Sequence, residues 1–368
     1  MILRKCRRLR ILRPTRGRAK EFADLQTGMS CRVRVRWVDV LATRPILPAM
    51  SKTLMEYAEW LAHRDELIWP AAPPSVLRKA IPSIKPLPGI KAVTWNVYGT
   101  LLRITDGDLL LLPTQELRMQ VALEKTIKEF NMWQSMSRKP GDPWAQLFPQ
   151  YKDVLAEMQL TVPARKGDLG QVDSTKLWRK LISRLEQKEY EYDADFYGDA
   201  DEYAEKVAFF FHSCLAGVAA MDNAATVVKA VADAGFAQGL LADGQSFTLT
   251  QLLRAFQATT KLPPLNQLFA PGCIILSCDV GVRKPSRTLF NTAAEAFARQ
   301  DIEPSEVLYV SNRWPDDLTV AKQIGFRTAL FAGDKNSVQA PAAELLTSEL
   351  RPDRLLTELT QIRNLLES

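Results

Sequence analysis

Histidine is almost absent from this chain: only His63 and His212 occur in 368 residues. A multi-histidine metal site is therefore excluded, and a serine-triad hydrolase would have to draw its base from those two. Cysteine is scarce and scattered. Cys6, Cys31, Cys214, Cys273 and Cys278 are odd in number, and no pair has zinc-ligand or CxxC spacing. Free thiols in a reducing, cytoplasmic setting are the expectation. No apolar run approaches the ~20 residues that cross a bilayer, so no membrane partner is expected.

Negative charge is nearly missing from the first 49 residues, which hold 13 Lys/Arg against 3 Asp/Glu. The remaining 319 hold 35 against 39, so the chain's net charge of +6 divides into +10 and −4. A mildly acidic body gives no electrostatic reason to expect a nucleic-acid partner. Residues 1–49 lack an apolar core between their charges, which argues against a secretory signal. They read as a disordered basic arm, a transit-like peptide or an untranslated upstream stretch. A start near Met50 is favoured, because Met50-Ser-Lys-Thr-Leu-Met runs straight into a helical pattern.

That pattern covers 51–66, with Leu54, Tyr57 and Leu61 at helical spacing. Prolines 70, 73, 74, 82, 86 and 88 follow, predicting an extended linker laid over a surface. A short apolar strand, Ala92-Val93-Thr94-Trp95, comes next. Residues 115–130, 143–158, 174–188 and 200–218 have helical periodicity and carry many large aromatics, among them Trp133, Trp144, Trp178 and Phe209 to Phe211. Most should form a helical core, with one or two available to face a substrate. After Asp222 helices and strands alternate: helices at 223–234, 245–259, 286–299 and 317–324, strands at 237–242, 273–277, 307–311 and 328–331. Such alternation predicts a doubly wound parallel sheet. Ligands of these sheets sit at the strands' carboxyl ends, which points to Asn96, Ala242 and Asp243, Lys284, and 311–317.

Four sequence motifs fall at those positions: Asn96-Val97-Tyr98-Gly99-Thr100, then Leu240-Leu241-Ala242-Asp243-Gly244, then Gly281-Val282-Arg283-Lys284-Pro285, then Val310-Ser311-Asn312 with Asp316-Asp317, Ala321 and Gly325-Phe326. In order and context the series resembles the haloacid dehalogenase (HAD)-like hydrolase superfamily over 91–332. The resemblance implies an α/β doubly wound parallel sheet (a HAD-like Rossmannoid core) with an α-helical cap insertion of the C1 kind. The implied division is 1–49 as a basic extension, 50–90 as helix plus proline-rich linker, 91–112 and 223–368 as core, and 113–222 as cap.

It also implies roles. Asn96 stands where the family has its nucleophilic aspartate, and a neutral carboxamide is a far weaker nucleophile. Tyr98 stands at the acid/base position of the phosphatases, and Ala242 where a Ser/Thr hydroxyl contacts phosphate. Asp243 adds a charge that would repel phosphate. Thr100, Lys284, Ser311, Asn312, Asp316 and Asp317 complete the implied site, with Asp316 or Asp317 able to pair Lys284. Tyr98 and Ser311-Asn312 fit the dehalogenase branch, which uses no metal; Mg²⁺ on Asp316 and Asp317 would be needed only in a phosphatase-like member, and no other cofactor is implied. Deamidation of Asn96 would restore a carboxylate. The run Asp193 to Asp201 imitates the start of a calcium loop, but Tyr197 and Ala204 stand where ligands belong, so it reads as a solvated loop and helix start. His212, on an aromatic helix, reads as a packed core residue.

Three functions follow: a catalytically impaired pseudoenzyme binding a small ligand or protein, an active dehalogenase- or phosphatase-like hydrolase, or a structural interaction protein. An aromatic cleft favours small-molecule binding; a cleft filled by Lys284 locked to Asp316 or Asp317 favours the last.

Overall fold

The computed structural model describes residues 51–366 apart from 78, 137–140 and 163–164. The expectations for 1–49 lie outside the described residues. Six strands form one sheet in the order β10-β9-β8-β1-β5-β6, every pairing parallel. They are β1 (Ala92–Trp95), β5 (Ala237–Ala242), β6 (Ile274–Leu276), β8 (Val307–Ser311), β9 (Arg327–Phe331) and β10 (Arg354–Leu356). Among the described residues two antiparallel ribbons complete the strands: β2 (Leu102–Ile104) with β4 (Val218–Ala220), and β3 (Leu169–Gly170) with β7 (Val282–Arg283).

Burial on both faces explains the unbroken apolar strands. Along β1, Ala92 packs with the helices of one face while Val93 and Trp95 pack with those of the other. One face carries α7 (Ala224–Asp233), α8 (Thr248–Gln257), the short α9 (Leu265–Leu268) and α14 (Ile362–Leu366). The other carries α11 (Arg287–Ala298) and α12 (Thr319–Ile324), with the single turn α10 (Ser277–Val280) and the short helix α13 (Ala342–Thr347) in the connections. The sheet is thus doubly wound, as the alternation predicts.

Between β2 and β4 lie α2 (Glu116–Glu129), α3 (Pro143–Thr161), α4 (Ser174–Glu186), the turn α5 (Ala194–Tyr197) and α6 (Ala200–Leu215). Together with α1 (Leu54–Ala62) they share a separate core of buried aromatics, including Tyr151, Trp178, Tyr203 and Phe209 to Phe211. Trp133 is the outlier, 55% exposed. The β2–β4 ribbon zips the entry and exit of this insertion together.

Several boundaries move from their predicted places for local reasons. Helix α1 begins at Leu54 because Thr53 caps it, with Glu56 closing the capping box, and it stops at His63 rather than reaching 66. Strand β6 ends at Leu276, and Ser277 leaves the sheet to bond Gly244 N and O. The helix expected at 317–324 is preceded by a π-helical turn, Trp314–Leu318, opened by Pro315 near its start, where a missing N–H is harmless. Asp193 and Asp199, from the calcium-like run, instead cap α5 and α6 through backbone N–H groups. The proline-rich stretch runs from the sheet's β10 edge to α14: Ser83 N donates to Leu355 O at 2.9 Å and Leu87 N to Leu365 O at 2.8 Å. Among the described residues no helix is long and apolar enough to cross a membrane.

Candidate functional site

Strands β8, β1 and β5 lie side by side, so their carboxyl ends deliver Ser311, Asn96 and Ala242 to one place. Lys284 arrives there from the segment just after β7. Its side chain is wholly buried, and its ammonium donates to Asn96 Oδ1 (2.8 Å), Tyr309 Oη (2.8 Å) and Asp317 Oδ2 (2.7 Å). Those bonds use all three of its donors. Asp317 Oδ2 accepts further from Ser311 Oγ (2.5 Å) and lies 2.8 Å from Tyr309 Oη. Burial works against the Asp317 charge, but Lys284 and Arg313 outweigh it and hold the carboxyl below its usual range. Burial, then the Asp317 charge, push the Tyr309 phenol well above its ordinary value.

The Asn96 amide has one orientation. Lys284 can only donate, so the atom facing it must be Oδ1. Nδ2 then donates to Tyr98 O (2.8 Å) and Asn312 Oδ1 (2.9 Å). Asn312 is fixed in turn: its Oδ1 also accepts from Thr100 Oγ1 (3.0 Å), its backbone N donates to that hydroxyl (3.0 Å), and its Nδ2 donates to Ser337 O (2.6 Å). Gly99 permits this closeness. It has φ +78°, and a Cβ there would run into the Asn312 amide.

Tyr98 turns away from the network. Its hydroxyl meets Thr248 Oγ1 (3.0 Å) and Gln251 Oε1 (2.7 Å) on α8. Burial raises its pKa, the wrong direction for a base at neutral pH. Ala242 is buried and supplies no hydroxyl. Asp243 accepts from Lys284 N (2.9 Å) and Arg313 Nη1 (3.1 Å), so its charge is partnered. Burial still raises its carboxyl, with Lys284 and Arg313 pulling the other way.

Sequence reasoning missed Arg313 and Tyr309. Arg313 lies between Asn312 and Asp316 in the fourth motif, where its charge was visible but had no assigned partner. It bonds Asp316 (2.8 Å) as well as Asp243, and faces Asp108 and Asp317. Burial opposes its charge; Asp317, Asp108 and Asp243 more than offset that and raise its pKa. Tyr309 could have been found from strand alternation, since it shares a face with Ser311.

The donor set does not suit Mg²⁺, which takes carboxylate and water oxygens. Asn96 turns its amide nitrogen toward Asn312, Asp317 Oδ2 is already filled by Lys284, Tyr309 and Ser311, and Asp316 is held by Arg313. Among the described residues no group of three His, Cys, Asp or Glu side chains is placed to hold a metal ion.

A serine–histidine pair does exist elsewhere, with Ser174 Oγ 2.9 Å from His212 Nε2. It lacks a triad's third member, since His212 Nδ1 is buried without a partner. Burial pushes the imidazole down to about 3, so it stays neutral, and both residues are sealed beneath Phe247 and the α4–α6 contact. It is a packing feature.

Residues 281–362 match the family model described as HAD-hydrolase-like. No curated protein sequence matches the chain. Among solved structures it is similar to 2-haloacid dehalogenase from Pseudomonas syringae pv. Tomato DC3000, at 19% identity and TM-score 0.47, over 74% of this chain and 96% of that one. It is similar also to L-2-haloacid dehalogenase from Xanthobacter autotrophicus with chloropropionic acid covalently bound, at 19% identity and TM-score 0.37, with the same coverage. A third is CbbY from Rhodobacter sphaeroides in complex with phosphate, at 16% identity and TM-score 0.39, covering 74% and 96%. The parallel sheet, the helical insertion after its first strand and the match over 281–362 give this chain a HAD-like hydrolase fold.

Proposed function

We propose that this chain is a hydrolase-fold protein without hydrolase chemistry, whose former catalytic centre is a structural network and whose role is to bind a protein partner. The observation that carries the reading is the Asn96 amide. Both ends of the group standing at the nucleophile position are held by hydrogen bonds, its oxygen by Lys284 and its nitrogen by Tyr98 and Asn312. A carboxamide so held offers no charged oxygen for attack. Lys284 is locked to Asp317, so the ammonium that would meet an anionic small molecule is already neutralised. Apolar side chains instead reach solvent just before and along the proline-rich stretch, with Ile68, Leu77 and Ile81 at least three-quarters exposed.

The test is hydrolysis of an aryl phosphate and of 2-haloacids by the purified protein and by Lys284→Ala, with peptide mass spectra reading residue 96. Background rates with an intact Asn96 are expected, several orders of magnitude below a working nucleophile. Turnover that Lys284→Ala abolishes would overturn the reading.

A further inference from the structure

We infer that the Arg313 guanidinium is the resident cation of this site, standing where four carboxylates converge and leaving no place for a divalent metal. The four come from three separate parts of the chain. Asp108 follows β2 on the way into the helical insertion, Asp243 follows β5, and Asp316 and Asp317 sit in the turn after β8. Arg313 Nη1 lies 3.1 Å from Asp243 and 3.6 Å from Asp108, Nη2 lies 2.8 Å from Asp316, and Nε lies 3.7 Å from Asp317 Oδ1.

Two details make this more than an acidic cluster. Arg313 Nε and Asp317 Oδ1 are both buried and both lack a hydrogen-bond partner, yet they face each other. The Asp317 oxygen left over by Lys284, Tyr309 and Ser311 is therefore aimed at the guanidinium as its counter-charge. The fork geometry also matters. A planar guanidinium presents five donors in a fixed fork and here reaches carboxylates on three separate segments, more than the three donors of an ammonium can meet, although an ammonium would keep the positive charge. It holds them around a group of its own width, whereas a divalent ion needs oxygens drawn in to about 2.0–2.6 Å.

The Asp108 contact adds a mechanical role. Its other oxygen accepts from Gln339 Nε2 at 2.8 Å, so Arg313 and Gln339 together pin the insertion's entry segment to the strand ends. None of this depends on whether the cleft turns over a substrate.

The test follows thermal unfolding of the full chain during Mn²⁺ and Mg²⁺ titrations, with Mn²⁺ electron paramagnetic resonance as a direct binding readout. Native protein and Arg313→Lys should be indifferent to both ions through the millimolar range. Arg313→Met should melt several degrees lower without metal and recover as Mn²⁺ is added, with the free-Mn²⁺ signal falling in step. If Arg313→Met yields no folded protein, Arg313→Met combined with Asp108→Asn and Asp316→Asn should restore folding by removing the unpaired charge. Tight Mn²⁺ binding by the native protein overturns the inference. So does an Arg313→Met protein that is as stable as native and blind to metal, or one rescued neither by metal nor by loss of the carboxylates.

Discussion

Replacing Asn96 with aspartate changes one NH₂ for an oxygen and almost nothing in volume, which isolates the chemistry of this site. The new oxygen would face Tyr98 O at 2.8 Å and Asn312 Oδ1 at 2.9 Å, so two donated hydrogen bonds become two contacts between acceptors. Leaving a buried polar group unsatisfied costs roughly 1–3 kcal/mol each. Asn312 cannot simply flip to help, because its nitrogen is committed to Ser337 O and its oxygen accepts from Thr100. Lys284 offers partial compensation, but Asp317 already balances its charge. The net expectation is a loss of about 2–5 kcal/mol at pH 8.

The pH dependence sharpens this. Protonating the introduced carboxyl creates a donor for Tyr98 O and removes a buried charge, so its folded pKa rises above the unfolded ~3.9. Between those two values the folded state holds the extra proton, and stability falls as pH rises, by about 1.4 kcal/mol per unit. Urea unfolding of native and Asn96→Asp proteins at pH 5 and pH 8 reads both quantities, with the native difference subtracted. Equal midpoints at both pH values would refute the account of the amide. So would a gain of phosphatase or dehalogenase turnover, because it would mean that the carboxylate fits where the geometry says it does not.

Lys284→Met should cost about 3–5 kcal/mol in urea unfolding, because buried Asp317 keeps only its 3.7 Å contact with Arg313 to balance its charge, and Lys284→Met with Asp317→Asn should cost less; the reverse order would contradict the pairing. His212 supplies an acid sensitivity. The unfolded chain takes its proton below about 6.5, while the folded imidazole waits until about 3, so native stability should fall by about 2 kcal/mol from pH 7.5 to 5. His212→Gln should flatten that slope, and matching slopes would sink the argument. Gly99→Ala should lose at least about 2 kcal/mol in thermal unfolding, since both its φ of +78° and the Asn312 amide oppose a Cβ; a smaller loss would show that the turn relaxes freely.

The sheet was legible because its information is local. Strands such as Leu240 to Ala242 and Val307 to Ser311 are buried on both faces and mostly apolar, and the helices between them keep a 3.6-residue period. That is enough to place Asn96, Lys284, Ser311 and Asp317 at one end of one sheet. Local pattern did not reveal the β2–β4 ribbon, whose three-residue strands pair across more than a hundred residues. Strand β10 was equally hidden, since its partner is decided by sheet order. Within the site, charge was visible and pairing was not. The motif offered Asp316 or Asp317 for Lys284, and only the folded arrangement gives Asp317 to the lysine and Asp316 to Arg313. The amide orientation of Asn96 was likewise unreadable, because it depends on Tyr98 O and Asn312 arriving from opposite sides.

The buried polar network also bears on the order in which the chain assembles. Its bonds join residues far apart in sequence, 188 positions for Lys284 with Asn96, 212 for Thr100 with Asn312 and 216 for Asn96 with Asn312. Each loses the entropy of a long loop before it returns anything, and none can close until the central strands are aligned. The network should therefore be absent from the folding transition state. In stopped-flow experiments Lys284→Met would then speed unfolding while leaving the refolding rate nearly unchanged. In that case the lifetime of the folded molecule, more than its rate of formation, is set by a cluster of side chains at the end of β1.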